Sequence, residues 1–220
     1  MKKILICCNN NFFKKKIKKK NFFFINSNDK LKKNYLKKIN PDLIFFPHWN
    51  HKINKFIFEN FICIGFHSTP LPYGRGGSPI QNMILRGYKS TKISAYEINS
   101  KMDAGSIYLQ SNLKLNGTGE EIFKRAYEKI LLMIFKLIVK LPKQKKQSGK
   151  VTYFKRRKPE EGNLLILKNI DKIYDVIRML DINFINYPNA FIENKYIKFN
   201  FREAKLKKNK IEAKVEILRK

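Results

Sequence analysis

The stretch Ile62-Cys-Ile-Gly-Phe66-His67-Ser-Thr-Pro-Leu-Pro-Tyr-Gly-Arg75-Gly-Gly-Ser-Pro79-Ile-Gln-Asn82 reads as a strand, a rigid polar loop and the first turn of a helix. Its apolar run ends at Phe66 without polar alternation, the pattern of a strand covered on both faces. In the loop, Pro70 and Pro72 restrict φ, while Gly74, Gly76 and Gly77 permit sharp turning. Ser78 followed by Pro79 pairs an N-cap residue with a first-turn proline, which predicts a helix from Pro79 capped by Ser78. Ligands of open α/β sheets bind outside the carboxyl ends of the strands, so the loop that starts at His67 is a candidate site.

The same strand-then-helix alternation extends outward on both sides. Short apolar runs at 4–8, 22–25 and 43–46 are bounded by Asn, Pro or Ser and read as further buried strands. Leu31, Tyr35, Leu36 and Ile39 share one helical face, with Pro41 ending that helix. The Lys-rich segment 11–20 reads as a solvated loop or frayed helix. Residues 94–98 and 107–115 read as two more strands. Thr118 and Glu121 then form a capping-box pair ahead of a stripe through Ile122, Phe123, Ala126, Ile130, Met133, Ile134 and Leu137. The polar stretch 143–150 reads as a surface linker. A helix over 170–180 and segments 190–192, 196–201 and 211–218 predict a closing helix and a small antiparallel ribbon. The expected fold is α/β: a mainly parallel sheet over 1–150, with a short C-terminal antiparallel β extension over 151–220.

Composition limits the alternatives. The chain has 220 residues, 43% of them hydrophobic, enough to build a core and too many for wholesale disorder. Its net charge of +30 suits nucleic acid, but the excess runs from Lys2 to Lys220 alongside abundant Ile, Asn and Phe, a pattern that AT-rich codons also produce. The run 4–8 is too short for a signal-peptide core, and the apolar run 130–139 falls far short of a membrane span, which predicts a cytoplasmic protein without membrane insertion. Cys7, Cys8 and Cys63 have no C-x-x-C spacing, so neither a disulfide framework nor a metal site is expected.

The segment Gly74-Arg-Gly-Gly-Ser78 has neither phosphate-loop spacing, and His67 alone fits a hydrogen-bonded structural imidazole as well as a site residue. Met102-Asp103-Ala104-Gly105, a turn between two predicted strands, gives it company. Together with Leu71-Pro-Tyr-Gly-Arg75-Gly-Gly-Ser-Pro79, this arrangement resembles the folate-dependent formyltransferases, a family that includes methionyl-tRNA, glycinamide ribonucleotide and amino-sugar formyltransferases. Residues 153–162, Ile177-Arg178 and Tyr187-Pro-Asn-Ala-Phe191 continue the likeness, which covers roughly residues 41–202.

The resemblance implies that 1–150 is a Rossmann-like catalytic domain and that it transfers a formyl group from 10-formyltetrahydrofolate to an amine. His67 would stabilise the tetrahedral oxyanion and shuttle a proton, and Asp103 would orient the imidazole and relay protons. Folate contacts fall to Trp49, His51 and Ile53 near the end of one strand, to Arg75 and Gly76 in the loop, and to Met102, Ala104 and Gly105 in the turn. The family carries an asparagine two residues before its histidine, whereas this chain has Gly65. Loss of one oxyanion donor costs about 3–4 kcal/mol of barrier, and Asn50 or Asn82 is a candidate replacement, Asn50 being the preferred third catalytic residue.

The short C-terminal part favours a small-molecule amine, an amino sugar linked to a nucleotide, as acceptor. Transfer RNA, as in methionyl-tRNA formyltransferase, is the alternative. A degenerate, non-catalytic folate- or nucleic-acid-binding protein is the reading of another class.

Overall fold

A backbone of four-residue buried strands dominates the first part of the chain, as the short apolar runs require. The structure, a computed structural model, describes residues 1–183 and 187–220. Its elements run β1 (Ile4–Cys7), α1 (Phe12–Lys16), β2 (Phe22–Ile25), α2 (Lys33–Ile39), β3 (Leu43–Phe46), α3 (Lys55–Asn60), β4 (Cys63–His67), β5 (Arg75–Gly76), α4 (Pro79–Leu85), β6 (Ser90–Glu97) and β7 (Ile107–Lys114). They continue with α5 (Gly119–Val139), β8 (Tyr153–Phe154), α6 (Ile170–Leu180), β9 (Ala190–Glu193), β10 (Ile197–Leu206) and β11 (Ile211–Arg219).

Six strands form one sheet in the order β2-β1-β3-β4-β6-β7. The first four are parallel, and β6 joins β4 antiparallel. The α/β, mainly parallel fold expected from the sequence is therefore present. One face of the sheet buries Leu5, Cys7, Ile44, Phe46 and Cys63 with Leu36 and Ile57 of the covering helices, and Trp49, Ile53 and Tyr96 pack against that cluster. Ile4, Ile6, Phe45 and Ile64 point to the opposite face and are equally buried, so both faces of these strands leave water and no polar alternation survives.

Two compact units can be described, and they interleave along the chain. The first comprises 1–76, 92–113 and 126–153; the second comprises 77–91, 114–125 and 154–220. In the first, Phe13 and Ile17 are buried and Phe13 stacks near Tyr127 with ring centroids 5.8 Å apart. Of the two readings its sequence leaves open, solvated loop or frayed helix, the Lys-rich segment 11–20 takes the helix over Phe12–Lys16, anchored by Phe13. Two apolar residues with a partner outweigh the surrounding lysines, which local composition does not register.

In the second unit, β9, β10 and β11 form the expected antiparallel ribbon, and α6 packs on β10. Arg178 of α6 is buried and donates to the carbonyls of Leu115 and Gly117 at 2.8 and 2.9 Å while pairing with Asp175 at 2.7 Å. The Thr118–Glu121 capping box is formed: Thr118 N–H donates to Glu121 Oε2 at 2.8 Å, and Glu121 N–H to Thr118 Oγ1 at 3.3 Å. Helix α4 begins at Pro79 as predicted, but Ser78 makes no side-chain cap bond. Its backbone is left-handed, φ 49°, and its hydroxyl accepts from Arg157 N–H at 3.1 Å instead.

Candidate active site

The site is assembled from three pieces of the first unit: the end of β4, the loop that follows it, and the turn between β6 and β7. His67 ends β4 and is buried. Its Nε2 stands 2.8 Å from the carbonyl oxygen of Gly74. A carbonyl only accepts, so Nε2 carries the proton in that contact. The other ring nitrogen, Nδ1, faces Asp103 Oδ2 at 3.6 Å, too long for a hydrogen bond and an ion pair only when the imidazole is protonated. His67 and Asp103, 36 residues apart in sequence, are thereby brought together.

Asp103 is held from several sides. Oδ2 accepts the Gly76 N–H at 2.8 Å and Oδ1 accepts the Tyr96 hydroxyl at 2.6 Å. The residue adopts a left-handed backbone, φ 49°, a conformation that Asp tolerates better than most residues. Gly76 has φ 100°, open only to glycine, so the loop glycine is what lets a backbone amide aim at the carboxylate. Burial first, and then the charge and hydrogen bond of Asp103, push the Tyr96 phenol well above its ordinary pKa. The phenol keeps its proton and acts as a donor.

Gln147 ties the pieces. Its Nε2 donates to the carbonyls of Asp103 and Gly105, both at 2.8 Å, and its Oε1 accepts from Arg75 at 2.6 and 3.2 Å. The stretch 143–150 is therefore not a free linker: Lys145 also bridges to Ile107, and backbone hydrogen bonds hold the segment whatever its surface polarity suggests. Arg75 N–H and Gly74 N–H bond to Thr152, at 3.0 Å to its carbonyl and 2.7 Å to its hydroxyl. Gly105 is close-packed: a Cβ there would lie 1.7 Å from the Glu97 carbonyl oxygen.

The remaining expected residues are placed as follows. Asn50 is exposed on the turn after β3, its backbone N–H donating to Asn9 Oδ1 at 3.1 Å. Asn82 is committed elsewhere, its amide nitrogen shared among the carbonyls of Gly77, Ser78 and Lys155, each at 3.1 Å. That rules it out as a spare donor. Trp49 lies against Phe46 and His51, with centroids 6.0 and 5.1 Å apart, and its buried Nε1 has no hydrogen-bond partner among the described residues. The Trp49–His51 pair beside the end of β3 offers aromatic surface of the kind on which a flat heterocycle packs. Met102 is 68% exposed and Ala104 N–H donates to Lys101 at 3.4 Å, which leaves the turn accessible.

Tyr96 and Gln147 were missed by sequence reading. The first sits in an ordinary strand pattern; the second sits among lysines, with no local signal beyond being uncharged. Among the described residues no helix is long and apolar enough to cross a membrane, and no group of three or more His, Cys, Asp or Glu could hold a metal ion.

Residues 159–218 match the family model for the methionyl-tRNA formyltransferase C-terminal domain. A solved methionyl-tRNA formyltransferase from Clostridium thermocellum is 44% identical, with all of both chains covered and a TM-score of 0.92. The methionyl-tRNA formyltransferase of Caldicellulosiruptor saccharolyticus is 29% identical over 175 residues, 74% of this chain and 55% of that protein. The chain spans about half the length of the curated methionyl-tRNA formyltransferases it matches. HypX from Aquifex aeolicus, solved in complex with tetrahydrofolic acid, shares the fold at 14% identity, covering 92% of this chain and 38% of HypX with a TM-score of 0.73. With His67 at the carboxyl end of β4 facing Asp103 of the β6–β7 turn, and a solved relative 44% identical over the whole of both chains, this chain belongs to the folate-dependent formyltransferase family.

Proposed function

We propose that the protein is an N-formyltransferase, moving a formyl group from 10-formyltetrahydrofolate to a primary amine. The observation that carries this reading is the buried His67 imidazole facing the Asp103 carboxylate at 3.6 Å beside a glycine-rich loop. 10-Formyltetrahydrofolate supplies the formyl group when bound, and Trp49, His51, Ile53, Arg75, Gly76, Met102, Ala104 and Gly105 are the residues to hold it. His67 moves a proton and meets the negative charge that develops during transfer, and Asp103 orients and electrostatically supports the ring. Asn50 is kept as the amide donor in place of the side chain that Gly65 lacks.

Methionyl-tRNA is the acceptor better supported, because the 44% identical relative bears that name over the whole of both chains. The net charge of +30 agrees with a polyanionic acceptor. The amino sugar expected first from the sequence has less behind it. A formyl-transfer assay with 10-formyltetrahydrofolate, run against methionyl initiator tRNA and a panel of nucleotide-linked amino sugars, tests both. Formylation of the tRNA, weakening as salt rises, is the expected result. Turnover of sugars alone moves the acceptor to the small-molecule class, and no turnover with either sinks the enzyme reading.

A further inference from the structure

Gly65 and Tyr96 face each other directly across the antiparallel β4–β6 pair. A Cβ on Gly65 would lie 2.7 Å from Cζ of Tyr96 and 2.8 Å from both Cε1 and the hydroxyl oxygen. Such separations are well inside van der Waals contact, so the aromatic ring fills the space that any side chain at 65 would enter. The ring's own hydroxyl then reaches Asp103 Oδ1 at 2.6 Å. Gly65, which departs from the family pattern, is thus the condition for Tyr96 to lie where it does.

The consequence for the site follows from the carboxylate. Asp103 has one oxygen on the Gly76 N–H and facing His67, and the other on Tyr96. Rotation about the bond to its carboxyl carbon breaks both hydrogen bonds. Without the phenol, only the Gly76 amide orients the group, and the plane of the carboxylate relative to Nδ1 of His67 is no longer set from both ends. A hydrogen bond donated to a charged oxygen is short and strong compared with a neutral one.

We propose that Tyr96 is a positioning residue of this site, acting through Asp103 on His67, and that it brings a polar group from the opposite strand into the space left by Gly65. The proposal rests on the formyl-transfer reading for its kinetic effect but not for its structural one. It is tested with Tyr96→Phe, which removes only the hydroxyl, and with Gly65→Ala, which displaces the ring by a different route. Both are checked for folding by thermal melting.

Two readouts are taken on the full chain. The first is the ring ¹⁵N spectrum of His67, assigned by comparison with His67→Gln. The second is formyl transfer with kcat and KM separated. In Tyr96→Phe the His67 ring resonances move, and kcat falls about tenfold with the KM for the formyl donor unchanged. Gly65→Ala gives the same pair of changes. Unmoved His67 resonances in folded Tyr96→Phe overturn the proposal, and so does an unchanged kcat beside an active wild type. If the wild type transfers no formyl group while the His67 resonances still respond to Tyr96→Phe, the positioning role stands and the enzyme reading falls.

Discussion

His67 Nε2 donates to the carbonyl oxygen of Gly74 at 2.8 Å, seven residues along the same loop. This contact fixes which nitrogen holds the proton of the neutral ring and leaves Nδ1 turned to Asp103. It also means that Nε2 must exchange the Gly74 carbonyl for a substrate atom before it can act on one. His67→Ala and Asp103→Asn are expected to lower formyl transfer by about 10²–10⁴-fold while folate-analogue affinity, followed by calorimetry, stays within a few-fold. Retained turnover in either variant removes that residue from its proposed role.

Gly105→Ala tests the packing of the turn. The added methyl would meet the Glu97 carbonyl oxygen at 1.7 Å, so the backbone two residues after Asp103 must shift. A loss of about 1–3 kcal/mol in urea unfolding is expected, with turnover falling further than stability explains. A wild-type denaturation midpoint would show that the turn relaxes without cost.

Gln147→Ala removes two hydrogen bonds to the 103–105 turn and the partner of Arg75. The expectation is a raised KM for the formyl donor and faster hydrogen exchange in the 103–105 turn, the global melting temperature moving little. Unchanged exchange there would show the segment 143–150 to be dispensable to the site.

Arg178→Met breaks a buried pair and strands Asp175 together with two carbonyls. Losing one member of such a pair typically costs about 3–5 kcal/mol. Equilibrium unfolding would measure it, and a cost below about 1 kcal/mol contradicts the role given to this side chain.

Burial pushes the thiols of Cys8 and Cys63 up to about 12, and that of Cys7 well above its usual value. In the unfolded chain these groups ionise from about pH 8.5. The folded state then holds more protons than the unfolded state, so stability is full below pH 8.5 and declines as pH rises towards about 12. Urea melts between pH 8 and 10.5 should show the decline, and Cys63→Ala should make it shallower. An identical slope in the variant would mean that other groups carry the alkaline transition.

The strand at 22–25, the strand at 43–46 and the helix at 170–180 were read at the bounds the structure has. Each was legible because its periodicity, breakers or caps lie within the segment itself. The capping box at Thr118 and Glu121 is local in the same sense. For segment 11–20 the sequence leaves loop and helix open, and for 143–150 it suggests a linker, because what orders them, Tyr127 for the first and the Asp103 and Gly105 carbonyls for the second, lies far along the chain.

The α/β class and the polar glycine-rich loop at a strand end are legible in the residues themselves, since a buried strand, a turn and a cap each leave a local mark. His67 and Asp103 stand out through the resemblance of their motifs to the formyltransferases. That the two meet at 3.6 Å, that Asn82 is already committed, and that Gly65 makes room for the phenol of Tyr96 become visible in the folded chain alone. Those facts depend on strand register, which pairs β4 with β6 so that residue 65 faces residue 96, and a linear pattern does not encode which residues a register will place opposite one another.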